Sequence, residues 1–158
     1  MRRLMIWVID DQSIYRKMAL ETLTQVAGQI SCKLEIKFGE DWTWPPKLKR
    51  YNAGNDEQTD PTPLSSLPDL VVLDLFLGSE VFCGKDFYEC LRNEEKLVEK
   101  PAGAFILVWS NYWSDAASLN FVTEKRAQDD RLVAPETKAL TLLAEAIKGC
   151  IGRIEEES

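Results

Sequence analysis

Three short apolar runs, each ending at a residue able to do chemistry, constrain this chain most. They are residues 4–9 (LMIWVI), 70–73 (LVVL) and 104–109 (AFILVW). Each is continuous rather than alternating, and rich in β-branched or aromatic residues. A strand buried on both faces reads this way, and such strands belong to parallel sheets. Residues 32–38 (CKLEIKF) alternate instead, with Cys32, Leu34, Ile36 and Phe38 on one side and charges on the other, which predicts a half-exposed edge strand. Residues 131–133 (RLV) form a fifth, short candidate.

Helical patterns fill the gaps. Ser13 can open a segment in which Tyr15, Met18, Ala19, Leu23 and Val26 share a face, with Gly28 as its stop. Phe87, Cys90, Leu91 and Leu97 suggest a helix after Gly84, and Ser114–Asp115 the start of another carrying Phe121 and Val122. Pro135 suits a first helical position, followed by a stripe of Leu140, Leu143, Ile147 and Cys150. Strand–helix alternation of this kind predicts an α/β fold with a largely parallel sheet. Residues 39–67 break the pattern with Pro45, Pro46, Pro61 and Pro63, and read as an irregular surface insertion between strands 2 and 3 that replaces or displaces the second helix and lies far from Asp74. The expected organisation is one domain over 1–152 and a fraying acidic tail over 153–158.

Charge and composition remove several functions. With 26 acidic and 19 basic residues the formal charge is −7, which opposes nucleic-acid binding. Histidine is absent, so this chain holds no Ser-His-Asp triad and no histidine metal site. The four cysteines form no C-x-x-C pair, and a chain of 158 residues can bury its own core, so reduced thiols are expected. The opening MRRLMIWVIDD mimics a signal peptide, but Asp10 and Asp11 end the apolar run early, and no run is long enough to span a bilayer. A cytoplasmic protein without membrane contact is expected.

The chemistry gathers at the strand ends. Asp10 and Asp11 follow the first run, Asp74 the second and Ser110 the third. In a parallel sheet these positions share the carboxyl edge, where open α/β sheets bind ligands. An Asp-Asp pair there can be a mere turn and helix cap. Three converging carboxylates, however, repel one another unless a cation lies among them, and an oxygen-only donor set favours Mg²⁺. A carboxylate held there can attack a phosphoryl group and become an aspartyl phosphate.

VIDDQS (residues 8–13), LPDLVVLDLFL (67–77) and ILVWSN (106–111) together resemble the three main motifs of the response-regulator receiver domain of two-component signalling. The resemblance implies a flavodoxin-like (βα)₅ fold with a five-stranded parallel sheet. It implies phosphorylation of Asp74 by a histidine kinase or histidine phosphotransfer partner, with Mg²⁺ bound by Asp11 directly, Asp10 through water, Asp74 and the backbone carbonyl of Phe76. Ser110 would hydrogen-bond the phosphoryl oxygen. Few residues follow the last helix, so a stand-alone receiver is expected, not an enzyme, with output through a downstream protein target. The family's lysine position, before a proline, falls on Ala134, and its aromatic switch position on Arg131. A rival alignment takes residues 121–126 (FVTEKR) as the fifth strand and Lys125 as the lysine; Lys85 is another candidate. Without the lysine, phosphorylation is expected to move the last strand and helix little.

Two alternatives follow. One is a pseudo-receiver, an interaction module that does not cycle phosphate. The other is a Mg²⁺ phosphohydrolase of the haloacid dehalogenase type, which needs an aspartate where Phe76 stands. Trp42 and Trp44 either anchor a partner or cover the insertion's own small core. Trp109, Tyr112 and Trp113 either form a partner surface beside Ser110 or pack in the core or at its rim.

Overall fold

The computed structural model describes residues 3–52, 66–75 and 82–157. The elements are β1 (Arg3–Ile9), α1 (Ser13–Ala27), β2 (Lys33–Gly39), β3 (Lys49–Arg50), β4 (Leu70–Leu73), α2 (Gly84–Leu97), β5 (Phe105–Val108), a 3₁₀ turn (Tyr112–Ser114), α3 (Ala116–Arg126), β6 (Leu132–Val133) and α4 (Leu140–Glu156). The sheet runs β3-β2-β1-β4-β5-β6. Every pairing is parallel except β2 with β3. Without β3 the order is that of a flavodoxin-like sheet, with its switch point between β1 and β4.

The continuous apolar runs are explained by two cores, one on each face. Alternate side chains of a strand point to opposite faces. Leu4, Ile6 and Val8 of β1 therefore meet α1 and α4 through Leu23, Leu143 and Ile147. Trp7 and Ile9 join Val71, Leu73, Phe87 and Phe121 on the side of α2 and α3. Every residue of β4 and β5 is buried.

Several expectations change. The sheet has a sixth, two-residue antiparallel strand, β3, which comes from inside the insertion and pairs with Lys37 and Phe38 of β2. The second half of β2 is therefore covered rather than at the edge, and Lys37 is buried. The insertion's first part neither stays on the surface nor lies far from Asp74, because the Trp42 indole Nε1 donates to the Asp74 carbonyl at 2.8 Å. Trp42 and Leu48 are buried in the α2-side cluster, and Trp44 packs on Trp7 and Phe87 at ring distances of 6.5 and 5.4 Å. These tryptophans thus extend the main core rather than cover a separate one of the insertion's own. Residues 53–65 of the insertion lie outside the described residues. Residues 121–126 belong to α3, not to a strand, because Phe121 and Val122 pack as a helical face. The last helix starts at Leu140 rather than at Pro135, leaving residues 134–139 as a loop. The expected frayed tail is instead helical to Glu156, since Ile154 reaches the core. Leu97 points to solvent. The four cysteines are free thiols. Among the described residues, no helix is long and apolar enough to cross a membrane.

Candidate functional site

Strand register brings the acids together. Ile9 lies opposite Leu73, and Leu73 opposite Val108. The next residues on these strands, Asp10 and Asp74, therefore emerge side by side at the carboxyl edge, with Ser110 just beyond β5. Carboxylate oxygens of Asp10, Asp11 and Asp74 lie within 4.8 Å of one another. Asp11 is exposed, whereas Asp10 and Asp74 are buried. Asp10 is held by local bonds: its Oδ1 accepts from the Gln12 amide at 2.9 Å, and its carbonyl from Arg16 Nη1 at 2.8 Å.

Lys138 supplies the cation in this cluster. Its Nζ lies 3.0 Å from Asp10 Oδ2 and 3.5 Å from Asp74 Oδ1. The ammonium stands 3.8 Å from the centre of the Tyr15 ring and 5.2 Å from that of Trp109, so aromatic faces add to its hold. Its backbone amide donates to Asn111 Oδ1 at 3.1 Å, which ties the loop before α4 to the loop after β5. A single ammonium does not neutralise three carboxylates. Burial, reinforced by the charge of Asp10, raises the Asp74 carboxyl to about 7 against the pull of Lys138. Burial also raises Asp10, outweighing the Gln12 amide and Lys138.

Lys138 was not among the residues that sequence pattern suggested. Ala134, at the family's lysine position, is buried, and its carbonyl accepts from the Tyr112 hydroxyl at 3.0 Å. Lys125 lines a groove of about 630 Å³ between α2 and α3 at the opposite end of the sheet, with Arg92 and Asp129. Lys85 is exposed in the first turn of α2. Arg131 points away from the site, donating to Gly103 O and Glu157 and covering the Phe105 ring. The clue to Lys138 is positional: it stands in the loop after β6, at the same edge as the acids.

Ser110 is buried, and its Oγ donates to the Leu75 carbonyl at 3.3 Å. Asp74, Ser110, Asn111 and Lys138 share a cleft of about 350 Å³ with Gln12 and Tyr15. Phe76, whose carbonyl the family resemblance adds to the metal site, lies outside the described residues. Asp69, which reads in the sequence as a turn residue, accepts from the Met5 amide through Oδ2 at 2.9 Å and so helps register β4 against β1.

The backbone behind the acid is tightly bounded. A Cβ on Gly84 would come within 2.4 Å of the Asp74 carbonyl oxygen and 2.9 Å of Leu75 Cα. Both obstacles are backbone, so they cannot rotate away. Gly84→Ala is expected to cost about 2–3 kcal/mol, read by urea unfolding, because the strand end itself must shift.

No family model matches the chain, and no curated protein matches it by sequence. Solved structures do match its fold. The beryllofluoride-activated receiver domain of DrrB aligns over 96 % of this chain and 99 % of its own length, with a TM-score of 0.53 and 20 % identity. The bacteriophytochrome response regulator AtBRR aligns over 94 % and 92 %, with a TM-score of 0.49 and 13 % identity. The likeness to the DrrB domain gives this chain the fold of a response-regulator receiver domain, as its motifs suggest.

Proposed function

We propose that this chain is a receiver: a signalling module that takes a phosphoryl group onto Asp74 from the phosphohistidine of a kinase or phosphotransfer partner and signals through protein contact. The observation that carries this reading is the meeting of Asp10, Asp11 and Asp74 with Lys138 beside buried Ser110. In the transfer, an Asp74 oxygen forms the new bond to phosphorus as the partner's nitrogen–phosphorus bond breaks. The leaving imidazole nitrogen keeps the bonding electrons and takes up a proton. Asp74 must be ionised to attack, and Lys138 favours that form.

The donor set fits Mg²⁺, since it offers carboxylate oxygens only and the cluster's net charge is negative even with Lys138 included. Asp10, Asp11 and Asp74 would hold the ion, and the Phe76 carbonyl is proposed as a further ligand. When bound, Mg²⁺ neutralises the acids and the incoming phosphoryl oxygens. Lys138 can leave Asp10 for a phosphoryl oxygen, a charge-assisted contact. Ser110 can turn its hydroxyl from the Leu75 carbonyl toward the same group. Each move acts on a loop, the first on residues 134–139 and the second on the segment after β5. This gives phosphorylation a structural readout.

Neither alternative gains from the geometry. Lys138 supplies the cation whose absence favours a pseudo-receiver. The phosphohydrolase reading still lacks an acid at Phe76. Beryllofluoride with Mg²⁺ is expected to bind and change tryptophan fluorescence, through Trp109 beside Lys138, while added phosphomonoesters are not turned over. Steady turnover, or no response to beryllofluoride, contradicts the proposal. The further expectations are a cytoplasmic location and an unidentified downstream protein as target.

A further inference from the structure

The two carbonyls that follow β4 are held from opposite flanks. On the β5 side, Ser110 Oγ donates to the Leu75 carbonyl. On the β2 side, the indole Nε1 of Trp42 donates to the carbonyl of Asp74 itself at 2.8 Å, in a fully buried contact between residues 32 apart in sequence. Gly84 closes the remaining side, since even a methyl group there would meet that carbonyl oxygen. The peptide joining Asp74 to Leu75 thus has an indole donor, a hydroxyl-bound neighbour and a backbone wall around it. The orientation of this peptide sets where the Asp74 side chain leaves the main chain.

Trp42 is itself fixed. It is 8 % exposed and shares a core cluster with Leu48, Leu73, Leu75 and Phe87. Two residues on, Trp44 wedges between Trp7 and Phe87. A buried carbonyl that loses its donor pays a full desolvation penalty, so the bond holds the peptide in one orientation.

We infer that Trp42 is a positioning residue for the phosphoacceptor: its indole N–H fixes the Asp74–Leu75 peptide and thereby aims the Asp74 carboxylate at the incoming phosphoryl group. The inference rests on the reading of Asp74 as phosphoacceptor. It gives residues 40–48 a part in the reaction, which their Pro- and Trp-rich composition does not suggest.

The test compares Trp42→Phe and Trp44→Phe with wild type, following aspartyl-phosphate formation from acetyl phosphate and Mg²⁺. Trp42→Phe keeps an aromatic ring and deletes the donor. Its maximal rate is expected to fall roughly tenfold or more, as loss of one buried hydrogen bond allows. The acetyl phosphate concentration for half-maximal rate should move less than about twofold, because the defect is in aim rather than binding. Trp44→Phe loses packing but no bond to the site, so its melting temperature should drop while its maximal rate stays within about twofold. If both variants slow equally, Trp42 is merely structural and the inference is overturned. It is also overturned if Trp42→Phe reacts at the wild-type rate. An unreactive wild type overturns the phosphoacceptor reading and the inference with it. Should Trp42→Phe not fold, the wild-type protein still decides. On adding Mg²⁺ and beryllofluoride the Trp42 indole N–H resonance should shift, whereas an unmoved resonance contradicts the inference.

Discussion

In EDTA at pH 8, Asp74→Asn is expected to be more stable than the wild-type chain by about 4 kcal/mol. The Asp74 carboxyl is raised from its ordinary 3.8 to about 7, chiefly by burial and next by the charge of Asp10. The sign follows from proton counts. Below pH ~4 both folded and unfolded chains hold the proton, and the site costs nothing. From there to pH ~7 the unfolded chain releases it while the folded chain keeps it, so stability falls as pH rises. Above pH ~7 the loss is complete and the buried charge is present in the folded state. The advantage of Asp74→Asn should therefore be small near pH 4.5 and full at pH 8, in urea unfolding at both values. Saturating Mg²⁺ should shrink it, since a bound cation stabilises only the folded wild-type site. A constant difference across pH would mean that Asp74 is not held in a charge-hostile pocket.

Lys138→Met carries the second large effect. Methionine keeps an unbranched stem against Tyr15 and Trp109 and deletes the charge that faces Asp10 and Asp74. In the wild type, beryllofluoride with Mg²⁺ should shift amide resonances strongly over residues 134–143, because Lys138 is drawn to the bound anion and pulls the loop ahead of α4. In Lys138→Met most of those shifts should vanish. Binding should weaken but persist, since the acids remain. The sequence reading, with Ala134 at the lysine position, expects little movement there. The place of Lys138 beside Asp10 and Asp74 is the ground for expecting the opposite. Adding a second cation by Ala134→Lys should then restore little that wild type lacks. Equal shift patterns in wild type and Lys138→Met would remove Lys138 from the response.

The contrast between Asp74 and Lys138 shows what is legible in such a chain. Asp10, Asp74 and Ser110 sit at the ends of buried runs, and a parallel sheet has one place to put those ends, so pattern alone brings them together. Helix faces were readable for the same reason: Leu23, Leu143 and Ile147 recur at helical spacing. Lys138 lies in a loop of no periodicity. Its reach depends on the path of residues 134–139 and on a long flexible stem, and neither leaves a mark in the sequence. The family's lysine–proline pattern points to Ala134, directly before Pro135, whereas the cation at the site comes from four residues further on, inside the loop that precedes Leu140. Trp42 was hidden differently. Proline and polar neighbours disguise its segment as surface, while burial of Trp42 and the packing of Trp44 on Trp7 and Phe87 draw it into the core. Two residues of β3 are too short a run for any pattern to reveal.

In the proposed function, Asp74 accepts a phosphoryl group in a site built by Asp10, Asp11, Ser110 and Lys138. Mass spectrometry of the intact chain and its peptides, after acetyl phosphate with Mg²⁺ or with EDTA, tests it most directly. One phosphoryl group is expected, on Asp74, formed with Mg²⁺, absent in EDTA, and absent from both Asp74→Asn and Asp11→Ala. Phosphate on another residue, or equal labelling in EDTA, would contradict it.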